Sequence, residues 1–310
     1  MIKYILNINK KKIKCIFNLF LFSKGVVKMA NNQTILTHMS FKGGSSKTCL
    51  NLNFIYQFCE NYPDKKVLFI DADPQSNASV FLLGEEVIES NIYTLKDGLE
   101  DGVELENLII KSPLDKFKNL DIIASNIDMV TLELVLNTKP AKEYVLLNYL
   151  TDEKNINIFE NYDIVVFDLN PAISVLNTNV FLCCTDIVPI INYGCYSTLT
   201  GYNLLVKTYG DIKKALRIDK DDIRKPVITK FEKQENKKIK MWLECADEKG
   251  ILGNTFKQTM RKSVHYENCI LYNESIKEYV KVKERKIKTD IDNEITDLIN
   301  EYIEDGLIII

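Results

Sequence analysis

Ser40-Phe41-Lys42-Gly43-Gly44-Ser45-Ser46-Lys47-Thr48 decides how the rest of this chain reads. An apolar run, Thr34 to Met39, precedes it, and a helical pattern opens at Lys47. That is the setting a phosphate-binding loop needs, because backbone N–H groups and a helix N-terminus then face the same anion. Gly43 and Gly44 let the main chain approach phosphates closely. On this reading Gly43, Gly44, Ser45, Ser46, Lys47, Thr48 and Cys49 form the binding loop. Lys47 reaches the β and γ phosphates as a point charge, and Thr48 offers its hydroxyl to Mg2+. The strict pattern GxxxxGK[ST] is not met, since Phe41 and Ser46 stand where its glycines belong.

Two segments further along strengthen the reading. Val67-Leu68-Phe69-Ile70-Asp71-Ala72-Asp73-Pro74-Gln75 places two carboxylates at the C-terminal end of a strand, where open α/β sheets bind ligands. Tyr162-Asp163-Ile164-Val165-Val166-Phe167-Asp168 is a second apolar strand ending in an acid, the form that holds Mg2+ through water. Around these, apolar runs predict strands at Thr34–Met39, Lys66–Ile70, Leu120–Ala124, Ile164–Phe167, Ile187–Ile191 and Val227–Thr229. Helical patterns fill the gaps at Lys47–Glu60, Asp128–Leu136, Lys142–Leu150, Thr198–Leu216 and Lys233–Glu248. A last helix is expected over Asp290–Glu304, apolar on one face and acidic on the other. Alternation of this kind predicts an α/β fold with a doubly wound, mostly parallel sheet flanked by helices. No repeat and no Pro/Gly/Ser-rich linker interrupts it, so residues 29–310 read as one domain.

Composition bounds the function. With 310 residues, 46% hydrophobic and 27% charged, the chain can bury a core and is neither disordered nor collagen-like. No apolar run is long enough for an ordinary transmembrane helix. The eight cysteines form no CxxC pair and His38 and His265 are the only histidines, which argues against a local zinc site and for reduced cytosolic thiols. The first 28 residues stand apart: they hold seven of the 40 basic residues and none of the 43 acids, so the rest carries a net charge of −10. They lack a small-x-small cleavage site, and Ser23–Lys28 is encodable as a ribosome-binding stretch. Translation from Met29 is therefore expected, with residues 1–28 a non-native or disordered extension. A body this acidic holds nucleic acid only through a local basic patch.

With these motifs on the page, the chain resembles the ParA/Soj/MinD family of deviant Walker-A P-loop ATPases, and most of all its short ParA-type partition members. The matching pieces are KGGSSKT at 42–48, DADPQSNAS at 71–79, YDIVVFD at 162–168 and VPIINYGCYSTLTGYNLL at 188–205. The resemblance implies a Mg-dependent ATPase that forms a homodimer around ATP. Lys42 is implied to neutralise charge on the partner subunit's nucleotide, Asp73 to position the attacking water, and Thr48, Asp71 and Asp168 to serve the metal. It also implies a ParB-like DNA-binding partner and non-specific DNA binding in the ATP state, within a cytoplasmic, nucleoid-associated protein. Arg261, Lys262 and His265 fall where relatives carry basic residues, and Lys281, Lys283, Arg285, Lys286 and Lys288 form a second basic run.

Ser46 replaces the glycine that usually precedes the P-loop lysine, so its Cβ is expected either to crowd the phosphate loop or to demand a backbone conformation that serine disfavours, and turnover is expected to be slow. Asn170 stands inside the usual Asp-x-Pro-Pro. The stretch ahead of the loop leaves no room for the helix-turn-helix domain of longer relatives, so sequence-specific operator binding is not expected, and the acidic last helix does not suit a membrane surface. The alternative function is a positioning scaffold with weak hydrolysis, acting through protein partners rather than DNA.

Overall fold

The computed structural model describes residues 33–86, 92–233, 236–282 and 291–310. The basic N-terminal segment, Lys283, Arg285, Lys286 and Lys288 lie outside them. Among the described residues, strands β1 (Thr34–Met39), β2 (Val67–Asp71), β3 (Ile109–Lys111), β4 (Leu120–Ile123), β5 (Ile164–Asp168), β6 (Asp186–Asn192), β7 (Val227–Phe231) and β8 (Thr259–Arg261) form one sheet. Their order is β3-β4-β2-β5-β1-β6-β7-β8. All neighbours run parallel except β3 and β4.

The longer helices are α1 (Lys47–Asn61), α2 (Asn77–Leu83), α3 (Leu95–Asp101), α4 (Leu132–Thr138), α5 (Val175–Cys183), α6 (Tyr196–Leu216), α7 (Lys237–Glu248), α8 (His265–Leu271), α9 (Ile276–Val282) and α10 (Ile291–Glu304). The central strands are continuous apolar runs because both faces are covered. Successive residues feed different cores: Leu36, Val67, Phe69, Ile164 and Val166 join the cluster under α1, α8 and α10, while Ile35, Leu68, Ile70, Val165 and Phe167 join the one under α4 and α5. Each such side chain, fully buried, is worth about 1.5–3 kcal/mol.

α1 is buried on nearly every side. Leu50, Leu52, Phe54, Ile55 and Phe58 are covered, and so are Asn51, Asn53 and Gln57. Polar groups in such a place must find partners, and Asn53 does so on the carbonyls of Cys49 and Tyr266 at 2.8 and 3.1 Å.

Several expected elements change shape. The helices expected at 128–136 and 142–150 open as 3-10 turns, Ile127–Thr131 and Lys142–Tyr144, before becoming α-helical. α7 begins at Lys237 rather than 233, because Asn236 caps it by accepting from Ile239 N. The three-residue edge strands β3 and β8, and helices α2, α3, α5, α8 and α9, lie outside the six expected strands and six expected helices; a strand that short carries no period to read.

Candidate functional site

β1 delivers the loop at the centre of the sheet, and the loop turns twice through the left-handed region before α1 begins. Gly44 sits at φ 69° and Ser46 at φ 70°. The second value is the backbone conformation expected to trouble a serine, since a Cβ there costs roughly 1–2 kcal/mol. A Cβ built on Gly43 or Gly44 meets nothing within 4 Å. α1 starts with no acid in its first turn and no side-chain cap, so its positive end is unmet. The buried Ser45 hydroxyl has no hydrogen-bond partner among the described residues.

The loop is braced from the strands beside it. Lys230 Nζ donates to Gly44 O at 2.8 Å, and Asn192 Nδ2 to the same carbonyl at 3.4 Å. Thr229 Oγ1 holds Asn192 Oδ1 at 2.7 Å. Lys230 pays for its reach with φ 54°, at the bulge where β7 slips against β8.

Asp71 and Asp168 lie side by side, in register across β2 and β5. Both are buried. Asp71 Oδ2 accepts from Ser79 N and Oγ at 2.9 and 2.7 Å, and its Oδ1 from Asp73 N at 3.0 Å. Asp168 Oδ2 accepts from Thr48 Oγ1 and Oδ1 from Asn51 Nδ2, each at 2.7 Å. Burial raises both carboxyl pKa values, and the Asp168 charge raises that of Asp71 further. Burial lowers the pKa of Lys47, with Asp168 and Asp73 opposing it. Asp73 is half-buried, its Oδ1 accepting from Gln75 N at 3.0 Å.

These residues suit a phosphate and a divalent cation. Among the described residues no group of three or more His, Cys, Asp or Glu could hold a metal unaided. A cation here needs phosphate oxygens to complete its shell, which is how Mg2+ is usually bound. Cys49, by contrast, is held as an inert thiol, pushed up to about 12 by burial.

The loop residues 43–48, Asp71, Asp73 and Asp168 therefore come together at the C-terminal edge of the sheet, and Lys42 stands exposed beside them with no acid partner among the described residues. The basic residues behave otherwise. Arg261 Nε pairs with Glu294, which also accepts from Arg261 N at 3.1 Å and Tyr266 OH at 2.5 Å. Lys262 pairs with Glu232 at 2.6 Å on the surface. His265 is half-buried with its ring 6.0 Å from that of Tyr279, and Lys281 is exposed. Sequence reasoning missed Asn51, Ser79, Asn192, Thr229 and Lys230. Asn51 stands one turn past Lys47, and Ser79 and Asn192 fall inside the quoted stretches 71–79 and 188–205 without a role assigned there; Thr229 and Lys230 left no such trace.

A loop of this geometry on this sheet defines an α/β P-loop nucleotide-binding fold. A family model described as an AAA domain matches residues 33–222. The chain is 34% identical over 180 residues to the cell division protein PomZ of Myxococcus xanthus, covering 57% of this chain and 52% of PomZ. It is 31% identical over 179 residues to the sporulation initiation inhibitor protein Soj of Bacillus subtilis, covering 57% of this chain and 65% of Soj. The matched part thus spans between half and two thirds of these relatives. A variant of Cyanothece McdA solved with ATP shares the fold, with a TM-score of 0.71 at 18% identity over 87% of this chain and 96% of that one. The chain belongs to the ParA-type family of P-loop ATPases.

Proposed function

We propose that this protein is a Mg-dependent ATPase that dimerises around ATP and uses that switch to partition or position a cargo in the cytoplasm. The observation that carries the reading is the convergence of an unpartnered buried Ser45 hydroxyl, the buried Lys47 and the paired carboxylates Asp71 and Asp168 on one loop. Lys47 binds phosphate in cis, and the loop amides with the start of α1 cradle it. Thr48, Asp71 and Asp168 hold the cation, which when bound neutralises phosphate charge. Asp73, with one carboxylate oxygen already fixed by Gln75 N, orients the attacking water with the other. Lys42 reaches the nucleotide of a second copy, and a cation supplied in this way is worth ~10³ to 10⁵ in rate. Loss of the γ-phosphate then releases the dimer.

The DNA-binding reading rests on Lys262, Lys281 and Lys283 more than on Arg261. A surface pair such as Lys262–Glu232 contributes about 0–1 kcal/mol and exchanges readily for a phosphate. Arg261, by contrast, is committed to Glu294. A ParB-like DNA-bound partner would then stimulate hydrolysis. The commitment of Arg261 to Glu294 favours the second reading, a scaffold acting through protein contacts alone.

Sizing chromatography with ATP alongside phosphate release tests the switch. Lys42→Ala should bind ATP as a monomer and lose about 10³-fold or more in turnover. Asp73→Ala should stay dimeric in ATP. A Lys42→Ala protein that dimerises and turns over normally sinks the mechanism. Retention on random duplex DNA separates the two readings: Lys262→Ala should lower the salt dependence by about one ion per complex, and no ATP-dependent retention at all favours the scaffold.

A further inference from the structure

A polar path runs through the apolar core from α10 to Asp168. Asn51 Nδ2 donates to Asp168 Oδ1, and Asn51 Oδ1 lies 2.6 Å from His38 Nδ1. His38 Nε2 lies 2.9 Å from the Tyr302 hydroxyl. All three residues are fully buried, and the rings of Phe54 and Phe256 pack against Tyr302.

Chemistry fixes the direction of this path. A carboxylate only accepts, so Asn51 turns its amide N–H toward Asp168 and keeps its oxygen for His38. His38 must then carry its proton on Nδ1, which leaves Nε2 to accept from Tyr302. Each donor in the series points toward Asp168, and dipoles aligned in this way polarise one another.

We propose that Tyr302, His38 and Asn51 are positioning residues that fix the orientation of Asp168 and thereby tune the Mg2+ affinity of the nucleotide site. The inference rests on the functional reading given above. Stability alone does not call for such a thread, because buried polar groups are often replaced by well-packed apolar ones at no loss. Partners of a metal-binding carboxylate, in contrast, typically change metal affinity 10–100-fold when removed.

The test is equilibrium retention of a fluorescent ATP analogue, titrated with Mg2+ and repeated in EDTA, with the melting temperature of the nucleotide-free protein as a check on folding. Tyr302→Phe keeps the ring packing and should raise the half-saturating Mg2+ concentration about tenfold while leaving affinity in EDTA unchanged. His38→Leu should do the same. His38→Gln should remain within roughly twofold of the parent, because its amide offers a donor to Asn51 and an acceptor to Tyr302 in the same order. Equal Mg2+ titrations for the parent and Tyr302→Phe overturn the inference, as does an equal loss in EDTA or a His38→Gln no better than His38→Leu. A parent protein whose retention ignores Mg2+ overturns the functional reading, and this inference with it.

Discussion

Lys42 and Lys47 flank the loop after the central strand β1, whereas Arg261 and Lys262 belong to the edge strand β8 and the residue after it. The fold treats these two pairs of cations in opposite ways. At the edge each charge is met by a carboxylate, Glu294 or Glu232. At the centre Lys47 is buried without an acid at ion-pair distance among the described residues, on a loop that carries left-handed strain and an unpartnered hydroxyl. Strain and unmet polarity persist only where something else over-determines them. The lesson is that a run of basic residues says little until its partners are known, and that a binding site shows itself by what the fold leaves unmatched.

Truncating one cation from each pair should break or confirm this contrast most plainly. Lys47→Ala should weaken ATP binding by about 2–5 kcal/mol, roughly 30-fold to several thousand-fold, in a calorimetric titration. Arg261→Gln should leave ATP affinity unchanged and instead lower the urea midpoint, since the half-buried Glu294 carboxylate then keeps fewer donors. If the two variants lost nucleotide alike, the contrast would be false.

A smaller effect should appear with pH. His38 is fully buried, and its pKa is lowered to about 4, chiefly by burial and against the hydrogen bond it donates to Asn51. Its folded value lies below the unfolded one, so the unfolded chain takes up the proton first. Stability falls as pH drops from 6.5 to 4, by about 3 kcal/mol. Asp71 and Asp168 act in the opposite sense, because their raised values are relieved by protonation. Comparing the parent with His38→Gln cancels them. The parent's stability advantage in urea should shrink by about 3 kcal/mol between pH 7.5 and pH 4, and a constant difference would mean that folding does not shift the His38 pKa.

The smallest effect concerns the loop itself. Ser46→Gly removes the left-handed penalty but frees the unfolded chain, so the net gain should stay under about 1 kcal/mol, a rise of ~2–4 °C in Tm. A clear loss of stability would show that the serine side chain, rather than its backbone, holds the loop.

Much of this was legible in the sequence. The central strands are covered on both faces, so each leaves an unbroken apolar run such as Ile164–Phe167, and the motifs follow at their ends. The edge strands β3 and β8 are three residues long and leave no such trace. The acidic face of α10 was equally opaque, because Glu294 and Glu301 differ from their neighbours only in tertiary contact: Glu301 accepts from Lys257 N and Gln258 N at 2.8 and 2.9 Å. The loop lysines were found because local spacing defines them. Arg261 reads from sequence as a DNA-facing cation, and its partner Glu294 was not legible because it lies 33 residues on.

The thread from Tyr302 to Asp168 also bears on how such chains are recombined. His38 and Asn51 are 13 positions apart, but Tyr302 lies 264 residues from His38. A chimera joining the first half of this protein to the last helix of another would keep the histidine and lose its hydroxyl partner, leaving an acceptor stranded in the core at about 1–3 kcal/mol. Ancestry imposes the same bargain. The three positions are expected to drift as a set or hardly at all, so that the two ends of the gene share one history.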